Sequence, residues 1–313
     1  MKRVISIILF GFLVAYGYSQ QKAGNTLFEW NRTDFNPAFT GLAVTTDISI
    51  ILRQQWVGFT DAPRTQYVNS HAALPGGIGV GGVLFNNVAG PTRQSGIKAA
   101  FSKQIKLNGD INLSMALSLD VFQNVYDHSK LNTGLPNDPA IISSPVEQSL
   151  GPDASVGAVL FTDRYFVGLS CTNLIESKYD FLTTNKEFSN PIKRTYYLTG
   201  GYTFEFNRDF RYIPGALIRK TIGLPLQIDI TNRFYYNILI AGLSYRTSNE
   251  ASVLLGVHFA EIYEIVYAYD YSFNPLKSYS MGSHEILLRF KLPNYARSDR
   301  RGGHKKGEML WAL

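Results

Sequence analysis

One stretch of strict alternation, residues 111–122, constrains the fold of this chain more than any other feature. Its small or polar residues alternate with large apolar ones, namely Ile111, Leu113, Met115, Leu117, Leu119 and Val121. A period of two predicts a β-strand with two different faces. About 9–11 residues of tilted strand cross a bilayer, so the stretch fits a membrane barrel. It equally fits a soluble β-sandwich, and the other strands must decide between the two.

Further segments with alternation or β-rich composition raise the predicted total to about fourteen strands. Single-chain bacterial outer-membrane barrels have an even number of strands, so this total fits that class. The predicted strands are 46–55, 64–74, 78–85, 95–105, 111–122, 154–161, 165–172, 194–205, 210–220, 226–234, 238–246, 251–259, 263–271 and 284–291.

The connections between these segments alternate in length along the chain. Short turns on one side and long loops on the other are typical of an outer-membrane barrel, whereas a sandwich has no reason to sort its loops in this way. The predicted short turns are 75–77, 106–110, 162–164, 206–209, 235–237 and 260–262. The predicted long loops are 56–63, 86–94, 123–153, 173–193 and 272–283.

Aromatic residues flank the short turns, as expected at a membrane interface, where one end of each ring is apolar and the other is wet. Charged residues make up 17% of the chain, below the usual value of about 25%. Together these observations predict an all-β fold, a transmembrane outer-membrane antiparallel β-barrel of about 14 strands that covers residues 44–291. The flanking aromatic residues are Phe161, Tyr165, Phe166, Phe204, Phe206, Phe210, Tyr212, Phe234, Tyr235, Tyr236, Phe259 and Tyr263.

The first nineteen residues have the pattern of a secretory signal peptide. Lys2 and Arg3 precede the apolar run 4–14, and the small residues Gly17 and Ser19 stand where cleavage is expected. Residues 1–19 are therefore predicted to be removed on export to the outer membrane. Residues 20–43 and the basic tail 292–313 are predicted to be periplasmic, with both chain termini on that side, because an even strand count returns the chain to its starting side.

The formal charge of +6 does not indicate a nucleic-acid partner. Lys2 and Arg3 contribute +2 and residues 292–313 contribute +3, which leaves +1 for the rest of the chain. A protein that binds nucleic acid usually has a basic face on its folded body. The single cysteine, Cys171, excludes an internal disulfide and a thiolate zinc site.

No catalytic, cofactor or metal motif emerges from the sequence. The histidines are scattered, and His284 and Glu285 point to opposite faces of one strand, so they cannot form a dyad. The inward positions of the strand 111–122 include only one ionisable residue, Asp120. We therefore expect a non-enzymatic protein whose lumen wall carries few ionisable groups and whose specific function lies on the periplasmic side.

Several motifs, in order along nearly the whole mature chain, resemble the PorP/SprF family of outer-membrane proteins of the type IX secretion system of Bacteroidetes. The chain departs from that family at Phe39, where Tyr is frequent, and in its basic tail. The motifs are Asn-Pro-Ala-Phe-Thr-Gly at 36–41, Arg-Gln-Gln-Trp-Val-Gly-Phe at 53–59, Ala-Pro-Arg-Thr-Gln at 62–66, Tyr-Asp-Tyr at 269–271 and Gly-Ser-His-Glu-Ile at 282–286.

The resemblance implies a role in protein export beside a periplasmic ring, made of a lipoprotein and its ring partner. In some relatives the partner is instead a large secreted adhesin used in gliding motility. The alternative is a passive small-solute pore in the outer-membrane lipid, and a membrane enzyme is the third reading. The sequence leaves two states of the lumen possible. It is either open, or it is plugged by Arg53, by aromatic residues near Tyr267, or by the segment 20–41.

The predicted partner-binding residues lie in the N-terminal segment, around the first hairpin and in the tail. Arg and Trp are favoured because these side chains often dominate protein interfaces. The residues are Trp30, Asn36, Pro37, Arg53, Gln54, Trp56, Arg64, Arg300 and Arg301.

Overall fold

The computed structural model describes residues 24–43, 45–130, 146–179, 190–273 and 279–293. The predicted signal peptide and the tail beyond residue 293 lie outside the described residues. None of the helices in the described ranges has the length and apolar character that crossing a membrane requires.

The described part of the chain forms one closed antiparallel barrel of fourteen strands, which confirms the predicted fold. Each strand pairs with its neighbours in sequence, and the first pairs with the last, so the barrel has no free edge. The strands are β1 Thr46–Gln54, β2 Arg64–Leu74, β3 Ile78–Ala89, β4 Thr92–Asn108, β5 Ile111–Asp127, β6 Val146–Phe161, β7 Tyr165–Thr172, β8 Thr195–Tyr202, β9 Phe210–Thr221, β10 Leu226–Tyr236, β11 Leu239–Arg246, β12 Glu250–Phe259, β13 Tyr263–Ser272 and β14 Ser283–Leu292. Two-residue strands also occur at Lys178–Tyr179, Asn190–Pro191 and Phe204–Glu205.

Strand β5 shows how the alternation is used. Its apolar residues Leu117 and Leu119 point outward and are exposed, whereas Ser114, Ser118 and Asp120 point inward and are buried. A soluble sheet buries its apolar face, but here the apolar face is the outer one. That inversion is expected of a barrel whose outer surface contacts lipid and whose interior is polar.

The outer apolar surface of β2–β5 ends abruptly on the side of the long loops. Strand register gives one row of outward side chains that is entirely apolar, comprising Val68, Leu84, Ile97 and Val121. The next row toward the loops is entirely polar, comprising Gln66, Asn86, Ser95 and Gln123. This change marks the loop-side boundary of the apolar band that faces the membrane.

The connections largely follow the predicted parity, with one correction. The long connections all lie at one end, which we call the loop end, and the strands are joined by short turns at the other, the turn end. The predicted long loop 86–94 is wrong, because β3 and β4 continue until only Gly90 and Pro91 connect them. Asn86, Asn87, Gln94 and Ser95 place polar side chains on both faces of these strands, so the alternation of polarity ends while the backbone pairing continues to Ala89 and Thr92.

The aromatic residues at the short turns divide between two environments. Phe206, Tyr236 and Phe259 are exposed on the outer surface, as an interface belt requires. Phe161 and Phe166 instead point into the barrel and are buried. The proximity of a ring to a short turn is therefore not sufficient to place it at the membrane surface.

Residues 24–43, which we call the plug, lie inside the barrel. The plug contains two short 3₁₀ helices, Phe28–Trp30 and Pro37–Phe39, around the single-turn helix α1, Arg32–Phe35. Every residue from 26 to 43 is buried. The prediction of a periplasmic segment outside the barrel is thus corrected for these residues, because their many rings and polar groups find partners on the lumen wall.

The plug runs from the loop end of the barrel to the turn end. The carbonyl of Asn25 accepts a hydrogen bond from Arg246, the last residue of β11 at the loop end. The carbonyl of Gly41 accepts one from Gln104 near the turn end of β4. The first described residue and Leu292 therefore lie at opposite ends, so the inference from even strand count applies to the strands and not to the plug.

Candidate functional site

The lumen is filled by contacts between the plug and the barrel wall. Phe39 of the plug packs edge-on against Phe166, with ring centroids 5.4 Å apart, and Phe35 packs against Tyr197 at 5.5 Å. Leu27 is fully buried within a second cluster that includes Ile51 and Leu287. These contacts stabilise the plug in the way that a hydrophobic core stabilises a soluble domain.

A buried carboxylate, Glu264 on β13, connects the plug to the turn-end half of the lumen. Its Oε1 accepts a hydrogen bond of 2.7 Å from the indole Nε1 of Trp30. Its Oε2 lies 3.2 Å from Arg289 and 3.1 Å from Lys291. Arg289 also binds Asp47 at 2.8 Å. Charges this deeply buried require partners, and Glu264 has three.

A second ionic group surrounds Glu29, a plug residue. Glu29 Oε2 lies 2.6 Å from Arg32 within the plug and 3.3 Å from Arg233 on β10. The Arg233 guanidinium also lies 5.1 Å from the centroid of the Trp30 ring, within the range of a cation–π contact. The two ionic groups therefore meet at Trp30.

A third ionic group holds the plug at the loop end. Glu285 accepts hydrogen bonds from the backbone N–H groups of Thr26, at 2.8 Å, and Leu27, at 3.3 Å. Arg53 lies 2.9 Å from Glu285 and 2.5 Å from Asp270. Asp270 and Glu285 thus face the lumen and are buried there. The prediction of a lumen wall with few ionisable groups is therefore wrong. That expectation generalised from β5, which is one of the less charged strands.

The wall also donates hydrogen bonds to the backbone carbonyls of the plug. Because the helices of the plug are too short to pair all of its backbone carbonyls internally, these carbonyls need partners on the wall. The donors and acceptors are Lys98 Nζ to Asp34 O (2.8 Å), Ser102 Oγ to Thr40 O (2.7 Å), Ser114 Oγ to Ala38 O (2.8 Å) and Ser170 Oγ to Phe35 O (2.6 Å).

Two glycines make space for the plug at its closest approaches to the wall. A Cβ at Gly79 would overlap the carbonyl of Thr40, and one at Gly157 would overlap the side-chain amide of Asn36. Asn36 donates in turn to the carbonyls of Ala158 and Leu169, at 3.4 and 3.3 Å. The wall and the plug are therefore complementary in shape as well as in charge.

The space left beside the plug is small. A polar cavity of about 40 Å³, lined by Glu29, Asp47 and His71 among others, has room for a few water molecules. Among the described residues no cluster of His, Cys, Asp and Glu has an arrangement that suits a metal ion. Of the three predicted ways to plug the lumen, the N-terminal segment is observed, with the buried Arg53 on the wall beside it. Tyr267 instead points outward and is exposed.

The predicted partner-binding residues do not form one surface. Four of them are enclosed in the lumen, namely Trp30, Asn36, Pro37 and Arg53. Gln54 and Trp56 are half-buried at the loop end, and Arg64 is exposed on the outer surface. Arg300 and Arg301 lie outside the described residues. Binding of a partner by any of these residues stays a prediction, and the four enclosed ones are within reach of a partner only when the plug moves.

The sequence reasoning missed the residues that hold the plug: Glu29, Arg233, Arg246, Glu264 and Arg289. A usable signal was present in the later strands. In β10 the inward positions Asp229 and Arg233 are charged, whereas the outward positions Ile228 and Ile230 are apolar. Charged residues of both signs at alternate positions of several strands indicate a lumen with paired charges rather than an open polar wall.

A closed barrel with an apolar outer band, a polar lumen and long connections at one end defines an outer-membrane β-barrel protein. The family model described as "Type IX secretion system membrane protein PorP/SprF" matches residues 17–290. The chain therefore belongs to the PorP/SprF family of type IX secretion membrane proteins.

A comparison with solved structures aligns the chain with several proteins at low sequence identity. The toluene transporter TbuX of Ralstonia pickettii has a TM-score of 0.48 and 11% identity over 82% of this chain and 92% of that one. Omp33 of Acinetobacter baumannii has a TM-score of 0.44 and 7% identity over 81% and 100%. The KdgM porin has a TM-score of 0.40 and 12% identity over 79% and 99%. A search among curated proteins found no significant match.

Proposed function

We propose that this protein is a non-enzymatic outer-membrane component of type IX secretion. It anchors the periplasmic ring, or a cargo exported to the cell surface, at the outer membrane. The observation that carries this proposal is the plug, because a barrel filled by its own chain has its outer surface, loops and turns available for partners. The runner-up function, a passive small-solute pore, requires an open lumen, and here the plug fills the lumen.

The proposed partners on the periplasmic side are the ring lipoprotein and its ring partner. The proposed contact is the tail 292–313, with Arg300 and Arg301, and the short turns at the same end. Deletion of 294–313 is expected to abolish co-purification of the ring proteins and to reduce cargo secretion. The measurement is affinity purification from membranes combined with an assay of secreted cargo.

A barrel that still shifts between boiled and unboiled samples on gels is the control for folding in that experiment. If the folded deletion variant retains both ring proteins and secretes normally, the tail is not the contact. The extracellular loops then become the candidate, and a surface-exported cargo becomes the favoured partner.

The proposed orientation places the loop end at the cell surface and the turn end in the periplasm, as is usual for such barrels. It predicts different exposure of two epitope tags on intact cells. A tag inserted before Gly24 is expected to be labelled, because Asn25 lies at the loop end. A tag after Leu313 is expected to be labelled only after permeabilisation.

A tag near Asn137, in the long connection between β5 and β6, is the positive control for the cell-surface side. Labelling of the C-terminal tag on intact cells would invert the proposed orientation. Labelling at Asn137 but not before Gly24 would instead contradict the direction of the plug.

A further inference from the structure

Four polar side chains form a cluster on the outer surface of β2, β3 and β4, which we call the arginine–amide cluster: Arg64, Gln66, Asn86 and Arg93. Arg93 Nε donates to Asn86 Oδ1 at 2.9 Å, and Asn86 Nδ2 donates to Gln66 Oε1 at 3.0 Å. Strand register pairs Arg64 with Val88 and Val88 with Arg93. The two arginines therefore lie at one level on either side of Val88, with backbones about 10 Å apart, within joint reach of one small anion.

The direction of these hydrogen bonds leaves the cluster with N–H groups that can donate to a ligand. Asn86 uses its oxygen to accept from Arg93, and Gln66 uses its oxygen to accept from Asn86. The amide nitrogen of Gln66 and the guanidinium groups contribute N–H donors, and both arginines are exposed. Exposed N–H donors beside two positive charges suit a phosphate group.

The charge around the cluster is favourable to an anion. No outward position of β2, β3 or β4, all of which the structure describes, carries a carboxylate. The acidic residues nearest to the cluster are Asp61, in the loop before β2, and Asp127, at the loop end of β5. The backbone carbonyl of Asp61 accepts a hydrogen bond of 3.1 Å from the N–H of Gly90. The Asp127 carboxylate accepts hydrogen bonds from the hydroxyl and backbone N–H of Ser129, at 2.5 and 3.1 Å.

The position of the cluster indicates that the ligand also has an apolar part. It borders directly on the apolar band, where Val68, Leu84 and Ile97 are 40%, 51% and 52% exposed. Lipid phosphates lie at the edge of the hydrocarbon region, at the level of this boundary. A molecule that contacts both surfaces has an anionic head and acyl chains.

We propose that the arginine–amide cluster binds the phosphate of a membrane lipid whose acyl chains lie on Val68, Leu84 and Ile97. This inference rests on the proposed function only in one respect, because the proposed orientation decides which leaflet supplies the lipid. With the loop end at the cell surface, the lipid is the phosphorylated glycolipid of the outer leaflet. The site would fix the rotation and depth of this face of the barrel in the membrane and so support an anchoring role.

The test measures lipid binding to the purified full-length protein in detergent by native mass spectrometry. The probes are phosphorylated lipid A, dephosphorylated lipid A, phosphatidylglycerol and inorganic phosphate. The double variant Arg64→Gln, Arg93→Gln is expected to bind phosphorylated lipid A about tenfold more weakly than wild type. Arg208→Gln, an exposed arginine in a short turn at the other end, is the matched control and is expected to bind as wild type does.

The outcomes separate the sources of phosphate. Arginine-dependent binding of phosphorylated lipid A alone supports the outer-leaflet glycolipid, and equal arginine-dependent binding of phosphatidylglycerol supports a phospholipid. Equal binding of dephosphorylated lipid A, equal affinity for inorganic phosphate, or an equal loss in Arg208→Gln would overturn the proposal. If the double variant loses its heat-modifiable fold, the single variants replace it. Binding in detergent is independent of secretion, so failure here leaves the proposed function untouched.

Discussion

Removal of the plug, residues 24–43, is expected to convert a silent barrel into a conducting one. Wild-type protein in planar bilayers should give no steady ion current, because the plug fills the lumen. The two cavities beside it, among the residues that the structure describes, measure about 40 and about 30 Å³. Barrels of 16–18 strands leave an aqueous channel, and the fourteen strands here approach that size. The measurement is single-channel recording after reconstitution of the purified proteins.

The matched control is the deletion of residues 294–313, which removes the same number of residues and leaves the plug in place. It is expected to stay silent. Steady currents from wild-type protein would contradict a lumen closed by the plug and favour the pore. If the plug deletion does not fold, Gly79→Val supplies a milder test, because its side chain would overlap the Thr40 carbonyl and displace one end of the plug.

The second large effect is expected from Glu264→Gln. The substitution keeps the shape of the side chain but leaves Arg289 and Lys291 without the charge that they both face. Removing one partner of a buried ion pair costs about 3–5 kcal/mol, and Glu264 is 1% exposed. We expect the free energy of unfolding to decrease by an amount of this order, measured by urea denaturation in detergent micelles.

Glu261→Gln is the control for that experiment, because Glu261 is exposed in the turn just before β13. It should change the unfolding free energy by less than about 0.5 kcal/mol. The environment of Trp30 gives a second readout in a background with Trp56 and Trp311 replaced by Phe. Acrylamide should quench Trp30 more strongly in Glu264→Gln, because the indole loses its charged acceptor at 2.7 Å. Equal stability and equal quenching in the two variants would show that the plug does not depend on this carboxylate.

A plug held by three ionic groups bears on how the protein acts in secretion. Its contacts with the wall are numerous and specific. Spontaneous release would break the buried ion pairs of Glu29 with Arg233 and of Asp34 with Lys98, together with the hydrogen bonds that the wall makes to the plug. While the plug is in place, a cargo cannot pass through this lumen. The anchoring role and the lipid site proposed above both use outer surfaces that the plug leaves free.

The sequence alone was sufficient for the architecture, because a strand in a membrane barrel has to satisfy a local rule. Residues such as Leu117 and Leu119 face lipid whatever the neighbouring strand contains, so their period of two is visible without any partner. The sorting of short turns and long loops is local in the same sense. The motifs at 36–41 and 53–59 carried the family resemblance, which the family match over residues 17–290 confirms.

Only the tertiary structure decided what fills the barrel. The plug is held by pairs such as Thr26 with Glu285 and Trp30 with Glu264, which are 259 and 234 positions apart. Nothing in the local pattern of residues 24–43 distinguishes a periplasmic segment from a buried one, because rings and charges suit both. The arginine–amide cluster likewise depends on register, which sets Arg64 and Arg93 at one level. Periodicity states which face a residue occupies, whereas closure of the barrel determines which residue it meets there.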